Sequence, residues 1–205
     1  MASFPKPPTL NDDRRAVDIY RRAAVILRER GFDATSMGDI ADAVDLTKGG
    51  LYYYIKGKQA LLFAIMCFAL EQVENQVLKP ALEVDDAETR VARWVEGHTI
   101  LMLDDPAPMM VLYNELEALK PEHRLRVDER LNVSTNTLRD AIEVLVAERS
   151  TLDVDIATGA IRTLVEGVAN WSGGVRADHD AIVRQVTRMA MDALLGHTEA
   201  ARAVA

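Results

Sequence analysis

The sequence predicts an all-α protein of about nine helices, with a small N-terminal helical domain over residues 12–58 and a larger one over residues 59–200. Three observations predict it. Apolar residues recur at three- and four-residue spacing, and no stretch reads as a strand. The breaks between these stretches are short steps of proline, glycine and aspartate suited to helix ends. The composition, 49% hydrophobic and 27% charged over 205 residues, fits a globular chain long enough for a sizeable core.

Residues 1–10, MASFPKPPTL, are expected to form a flexible arm, too short and proline-rich to be a signal peptide. The first helix turns Ala16, Tyr20, Ala23, Ala24 and Leu27 to a core. Arg14, Arg21 and Arg28, seven apart, share a stripe with Arg15 and Arg22 beside it. Gly31-Phe32 closes that helix. Thr35 or Ser36 can cap a second, short helix whose apolar face is Ile40, Ala41 and Val44. Asp45 and Leu46 make a turn, and Thr47 can cap a third helix carrying Lys48, Gly49, Gly50, Leu51, Tyr52, Tyr53 and Tyr54. Leu51 and one or two ring bodies suffice to pack this third helix down, which leaves the rest of it free to touch something else.

Two helices joined by a short turn form the unit that places a recognition helix in a DNA major groove. The start of the third helix suits a phosphate: free N–H groups at a positive dipole end, the Lys48 charge, and Gly49 and Gly50 for close approach. The tyrosines add hydroxyls and flat apolar sides for phosphate, sugar or a thymine methyl. The expected DNA-contacting set is Thr35, Ser36, Thr47, Lys48, Gly49, Gly50, Tyr52, Tyr53, Tyr54 and Lys58. The net charge of −8 agrees with this once divided: residues 1–58 hold 10 Lys and Arg against 8 Asp and Glu, or +2, and the remainder 14 against 24, or −10. Affinity for DNA needs cations at the contact surface rather than over the whole molecule.

The segment from about Arg15 to Leu62 resembles the DNA-binding domain of the TetR family of bacterial transcriptional regulators. Gly31-Phe32, Thr35-Ser36, Ile40-Ala41, Thr47-Lys48-Gly49, Leu51-Tyr52 and Lys58 with Leu61 stand at the family's intervals. Two residues depart from the pattern. Asp45 replaces the usual turn glycine, so the turn must accept positive φ at an aspartate or take another form. Ile55 replaces the usual phenylalanine as a smaller core plug. The resemblance implies a repressor that binds a palindromic operator on double-stranded DNA as a homodimer and is released by a small-molecule effector. Residues 110–140 loosely resemble members that answer to acyl-CoA thioesters, so the effector is expected to be an acyl-CoA, a fatty acid or an aromatic. A transcriptional activator on the same fold and a helical protein-interaction adaptor are the alternatives.

Beyond Lys58, Ala60–Leu70 carries no polar residue, which predicts a helix covered on all sides. Eleven apolar residues are too few to cross a bilayer, which needs about 18–20. Glu71–Leu78 continues the helix, and Lys79-Pro80 is expected to end it. Further helices are expected over Asp86–Leu103, Pro108–Leu119, Pro121 to about Arg149, Asp155 to the Gly173-Gly174 stop, and Asp178–Leu195 closed by Gly196. On the last two, apolar residues cover more than one face, so the surplus is expected to meet a twofold mate. Leu164, Val168, Trp171, Val186, Met189 and Ala190 are the expected interface residues, with packing inside one subunit as the alternative.

Phe63, Met66, Trp94, Met102, Met109, Met110, Tyr113 and Asn114 are the expected effector-binding residues, since methionines and aromatics make adaptable apolar linings. The same residue types also serve as ordinary core. Asn114, Glu115, Glu117, His98 and His123 are polar candidates for the rim of such a pocket, with a solvated or capped surface position as the alternative for each. No catalytic motif stands out, and Gly57-Lys58 lacks the Ser or Thr of a phosphate loop because Gln59 follows. The four histidines lack metal-ligand spacing, so no metal and no cofactor is expected. The single Cys67 rules out an internal disulfide framework and fits a reducing cytoplasm.

Overall fold

A computed structural model describes residues 14–147 and 152–196, and the proposed N-terminal arm and His197 lie outside the described residues. Among the described residues every regular element is helical, with no strand. Nine principal helices run α1 (Arg14–Arg30), α2 (Met37–Ala43), α3 (Lys48–Tyr54), α4 (Lys58–Leu82), α5 (Ala87–Asp104), α6 (Pro106–Asn114), α7 (Pro121–Val146), α8 (Val154–Glu166) and α9 (His179–Leu195). Short turns at Leu116–Ala118, Val168–Trp171 and Ser172–Gly174 join some of them. The chain divides into two compact units that do not follow a single cut. One takes in the chain to Glu71 and again Ala107–Asp128, and the other Gln72–Pro106 and the chain from Glu129 on.

In the first unit, α1 buries Ala16, Ile19, Tyr20, Ala23, Ala24, Ile26 and Leu27, the face its sequence spacing marks. Gly31 ends α1 at φ +79°, a left-handed conformation that glycine adopts without strain, and its N–H reaches Leu27 O at 2.8 Å. Every residue from Leu61 to Leu70 is buried, as expected of an all-round apolar stretch. α4 is 25 residues long and apolar enough to cross a membrane by length and composition, but 72% of its apolar window is buried inside the protein.

α4 does not end at Pro80. It runs on to Leu82 because residues Glu74–Leu78 form one π-helical turn just ahead of the proline. In a regular α-helix the Pro80 ring would press on the carbonyl four residues back, that of Gln76, and offer it no N–H. The wider turn relieves that clash. Gln76 and Val77 are then met by Gly97 of α5, where an added Cβ would stand 2.6 Å from Gln76 O. Two other ends differ from expectation. α6 begins at Pro106, since proline is tolerated in the first turn, and stops at Asn114 with a 3₁₀ turn after it. α8 stops at Glu166 with Gly167 as its C-cap, short of Gly173. α7 ends at Val146, and Arg149, where its end was expected, lies outside the described residues.

The second unit packs α5 with α8 and α9. Trp94 is 2% exposed, donates its indole N–H to the backbone and hydroxyl oxygens of Ser134 at 3.2 Å each, and lies 4.0 Å from the His98 ring. His98 is buried, and burial first, then the charge of Arg162, push its pKa down to about 3. Unfolding lets this imidazole take up a proton anywhere between that value and the ordinary one near 6.5, so stability falls as pH drops through that window. We expect the acid limb of stability against pH to lose up to about 1.4 kcal/mol per unit from this one group. His98→Phe should flatten the limb between pH 6 and 4, as read by denaturant unfolding.

Candidate nucleic-acid interface

The face expected to read DNA is built on two capped short helices. Ser36 caps α2: its Oγ accepts from Asp39 N–H at 3.1 Å, while Asp39 Oδ2 accepts from Ser36 N–H at 2.8 Å and from the hydroxyl at 2.5 Å. The two hydrogen bonds from Ser36 hold the Asp39 carboxyl below its ordinary pKa, so the box stays formed at neutral pH. Thr47 caps α3, its Oγ1 accepting from Gly50 N–H at 3.0 Å. Within α3 only Leu51 is buried, at 0% exposure, as its sequence implied. Ile55 at 5% plugs the core just behind it.

The turn between them takes the left-handed form at its aspartate. Asp45 has φ +55°, and Leu46 N–H closes the turn on Ala41 O at 2.9 Å. An aspartate pays a steric penalty there that a glycine does not. Two arginines of α1 brace it: Arg22 donates to Asp45 Oδ2 at 2.6 Å and Arg15 to Val44 O at 3.0 Å. These two side chains, expected on a basic stripe, thus serve the turn. Their role was not legible because partners 23 and 29 residues away carry no periodic signal.

What remains outward on α3 is Lys48, Gly49, Tyr52 at 45% exposure and Tyr53 at 86%. Ser36 and Thr47 are exposed too, while Gly50 and Tyr54 are half-buried, the Tyr54 ring meeting Tyr53 edge-on at 5.3 Å. An aromatic at 86% exposure holds apolar surface in water at a cost and is poised to cover a flat partner. Lys48 pairs with no carboxylate among the described residues, and Lys56, absent from the expected set, is likewise exposed.

Two expected contact residues face elsewhere. Thr35 is 1% exposed, with its hydroxyl donating to Gly31 O at 2.7 Å. Lys58 Nζ donates to Phe32 O at 2.7 Å, Thr35 O at 2.9 Å and Asp33 O at 3.4 Å, and stands 4.2 Å from the centre of the Phe32 ring. Both side chains hold the α1–α2 loop together. A motif spacing marks such residues without saying whether they face a ligand or their own fold.

The expected effector residues divide between the units. Phe63, Met66, Met109, Met110, Tyr113 and Asn114 belong to the first, Trp94 and Met102 to the second. All are buried except Tyr113, half-buried, and Asn114, exposed. Phe63 stacks on His123 at 4.1 Å. Neither of two surface clefts involves them: one of about 510 Å³ beside Asp86, Thr89, Arg93, Glu96 and Met191, the other of about 340 Å³ beside Arg14, Val17, Asp18 and Arg21. Of the expected interface residues, Val168, Val186 and Ala190 are core of their own subunit at 0–2% exposure, and Leu164 is half-buried. Trp171 at 42% and Met189 at 56% are outward, and Ile156 at 73%, Gly159, Ala160 and Thr163 extend the exposed face of α8. Apolar spacing located the helices but could not say which apolar stripe the subunit consumes.

A capped, outward second helix behind a braced turn, carried at the front of an all-helical chain, defines a helix-turn-helix regulator. The model of bacterial regulatory proteins of the tetR family matches residues 19–65, and that of tetracyclin repressor-like C-terminal domains matches residues 84–194. The second match alone spans more than half of the chain, and the chain belongs to the TetR family. It is a DNA-binding transcriptional regulator. Among curated relatives it is 28% identical over 188 residues to the transcriptional repressor KstR2 of Mycolicibacterium smegmatis, covering 88% of this chain and 77% of that one. It is 22% identical over 187 residues to the transcriptional activator FasR of the same organism, covering 89% and 84%. Among solved structures, AibR in complex with isovaleryl coenzyme A and operator DNA superposes with a TM-score of 0.77 at 25% identity, covering 86% of this chain and 97% of that one.

Proposed function

We propose that this protein is a homodimeric repressor whose two α3 helices enter successive major grooves of a palindromic operator, about 34–36 Å apart, and which an acyl-CoA releases. Residues 12–58 act as the DNA-reading domain and residues 59–200 as the effector and dimerisation domain. The observation that carries the DNA reading is the outward set of Lys48, Gly49, Tyr52 and Tyr53 at the capped start of α3. The isovaleryl coenzyme A held by AibR supports the effector class. The buried Phe63, Met66, Met109 and Met110 of the first unit supply adaptable apolar surface for an acyl chain. The outward Trp171 and Met189, with the α8 face of Ile156 and Ala160, support self-association, which is typical of the family. The protein works in the cytoplasm and turns over no substrate. Activation in place of repression is favoured only by the likeness to FasR.

The test is binding to the DNA flanking its own gene at several salt concentrations. Lys48→Ala should weaken binding to operator and unrelated DNA about equally and reduce the salt slope by about one. An unchanged slope removes Lys48 from the contact set. Isovaleryl-CoA and longer acyl-CoAs should raise the melting temperature and lower operator affinity, because a ligand selective for the released form shifts the population toward it. A series of acyl-CoAs that moves neither quantity overturns the effector class.

A further inference from the structure

The first unit contains a closed ring of hydrogen bonds that clamps the α1–α2 loop. Its pivot is the Phe32 peptide, in a residue 6% exposed. Phe32 N–H donates to Glu115 Oε1 at 3.1 Å, across 83 residues of sequence, and Phe32 O accepts from Lys58 Nζ at 2.7 Å. The next residue of α4, Gln59, grips the other side: its Nε2 donates to Ala118 O at 2.6 Å and its Oε1 accepts from Lys120 N–H at 3.2 Å. The ring closes through the 3₁₀ turn Leu116–Ala118, where Ala118 N–H donates to Glu115 O at 3.0 Å. Loop, α4 start and the segment after α6 are therefore one hydrogen-bonded body.

Resting on the DNA-reading assignment above, we propose that Glu115 is a positioning residue for operator recognition: it fixes the Phe32 pivot and thereby the seat of α2 and α3. Three features make it more than a surface carboxylate. It is half-buried, its acceptor meets a backbone N–H at the loop that leads directly into the α2 capping box, and its own backbone is tied down at both sides. Base-edge readout requires the recognition helix to be held within a fraction of an ångström, whereas contacts to the phosphate backbone tolerate a looser seat. Loosening the pivot should therefore erode discrimination before it erodes affinity for DNA in general.

The test uses the full-length protein, its operator selected from a random DNA pool by the wild type, and an unrelated duplex of equal length. Glu115→Ala should lower the ratio of operator to unrelated-DNA affinity about tenfold, with unrelated-DNA binding unchanged and the Phe32 amide losing protection against hydrogen exchange. Glu115→Gln, which keeps a side-chain oxygen acceptor, should restore most of the ratio. A ratio unchanged in Glu115→Ala overturns the proposal. So does equal weakening toward both duplexes, or a ratio that Glu115→Gln fails to rescue while its melting temperature equals the wild type's. A wild type that selects no DNA would instead sink the repressor reading itself.

Discussion

Gly97→Ala should cost about 2–3 kcal/mol of stability and lower the melting temperature by about 5–10 °C. The new methyl group would stand 2.6 Å from Gln76 O and 3.2 Å from Val77 Cα, both main-chain atoms, with Val77 Cγ2 at 3.3 Å. A side chain could swing aside, but these atoms belong to the π-helical turn that Pro80 forces on α4 and cannot retreat without undoing it. Gly97 lies within α5, where alanine would otherwise stabilise the helix by about 0.5–1 kcal/mol. Propensity and packing thus predict opposite signs, and the close approach wins because its steric penalty is several times larger. Thermal unfolding followed by circular dichroism decides the sign. A melting temperature equal to or above the wild type's would mean that α5 and the π-turn can separate without penalty.

Lys58→Met should destabilise the protein by about 2–3 kcal/mol, an effect with a different signature from that of Lys48→Ala. Methionine keeps the length and the apolar stem of lysine and removes the ammonium. Three carbonyl oxygens, of Phe32, Asp33 and Thr35, then lose their common donor, and the attraction to the Phe32 ring goes with it. The Thr35 carbonyl carries most of the cost, since Phe32 O keeps the Thr35 N–H at 3.2 Å and Asp33 O lies where water can replace the ammonium. The salt dependence of DNA binding should stay as in the wild type, measured at a temperature where the variant is folded. Lys48→Ala should do the reverse, leaving the melting temperature in place and changing the slope. If Lys58→Met instead flattens the slope at full stability, the ammonium leaves the loop to meet a phosphate.

Much of the front domain was legible because its determinants are local. The Ser36 and Thr47 caps, the burial of Leu51 and the outward tyrosines follow from residue type and spacing within a few positions. The same motif misled for Thr35 and Lys58, whose spacing is shared by contact residues and by those that tie a loop. Glu115, a candidate for a pocket rim or a surface position, accepts from a backbone N–H 83 residues away, and nothing in its neighbourhood marks that partner. Pro80 was read as a stop because its missing N–H breaks a regular helix, yet a π-turn accommodates the proline.

By itself the sequence determined the all-helical class, the helix-turn-helix at its front, the positive balance of residues 1–58 and the stretches that must be buried. Those depend on periodicity, capping and composition, which act over one or two helical turns. Only the tertiary structure decided which apolar stripe of α8 and α9 remains outward, that Arg15 and Arg22 brace the Asp45 turn, and that Gly97 admits the Gln76 carbonyl. Each of these is a meeting of atoms from distant parts of the chain, and a pairwise contact leaves no periodic trace in either partner's neighbourhood.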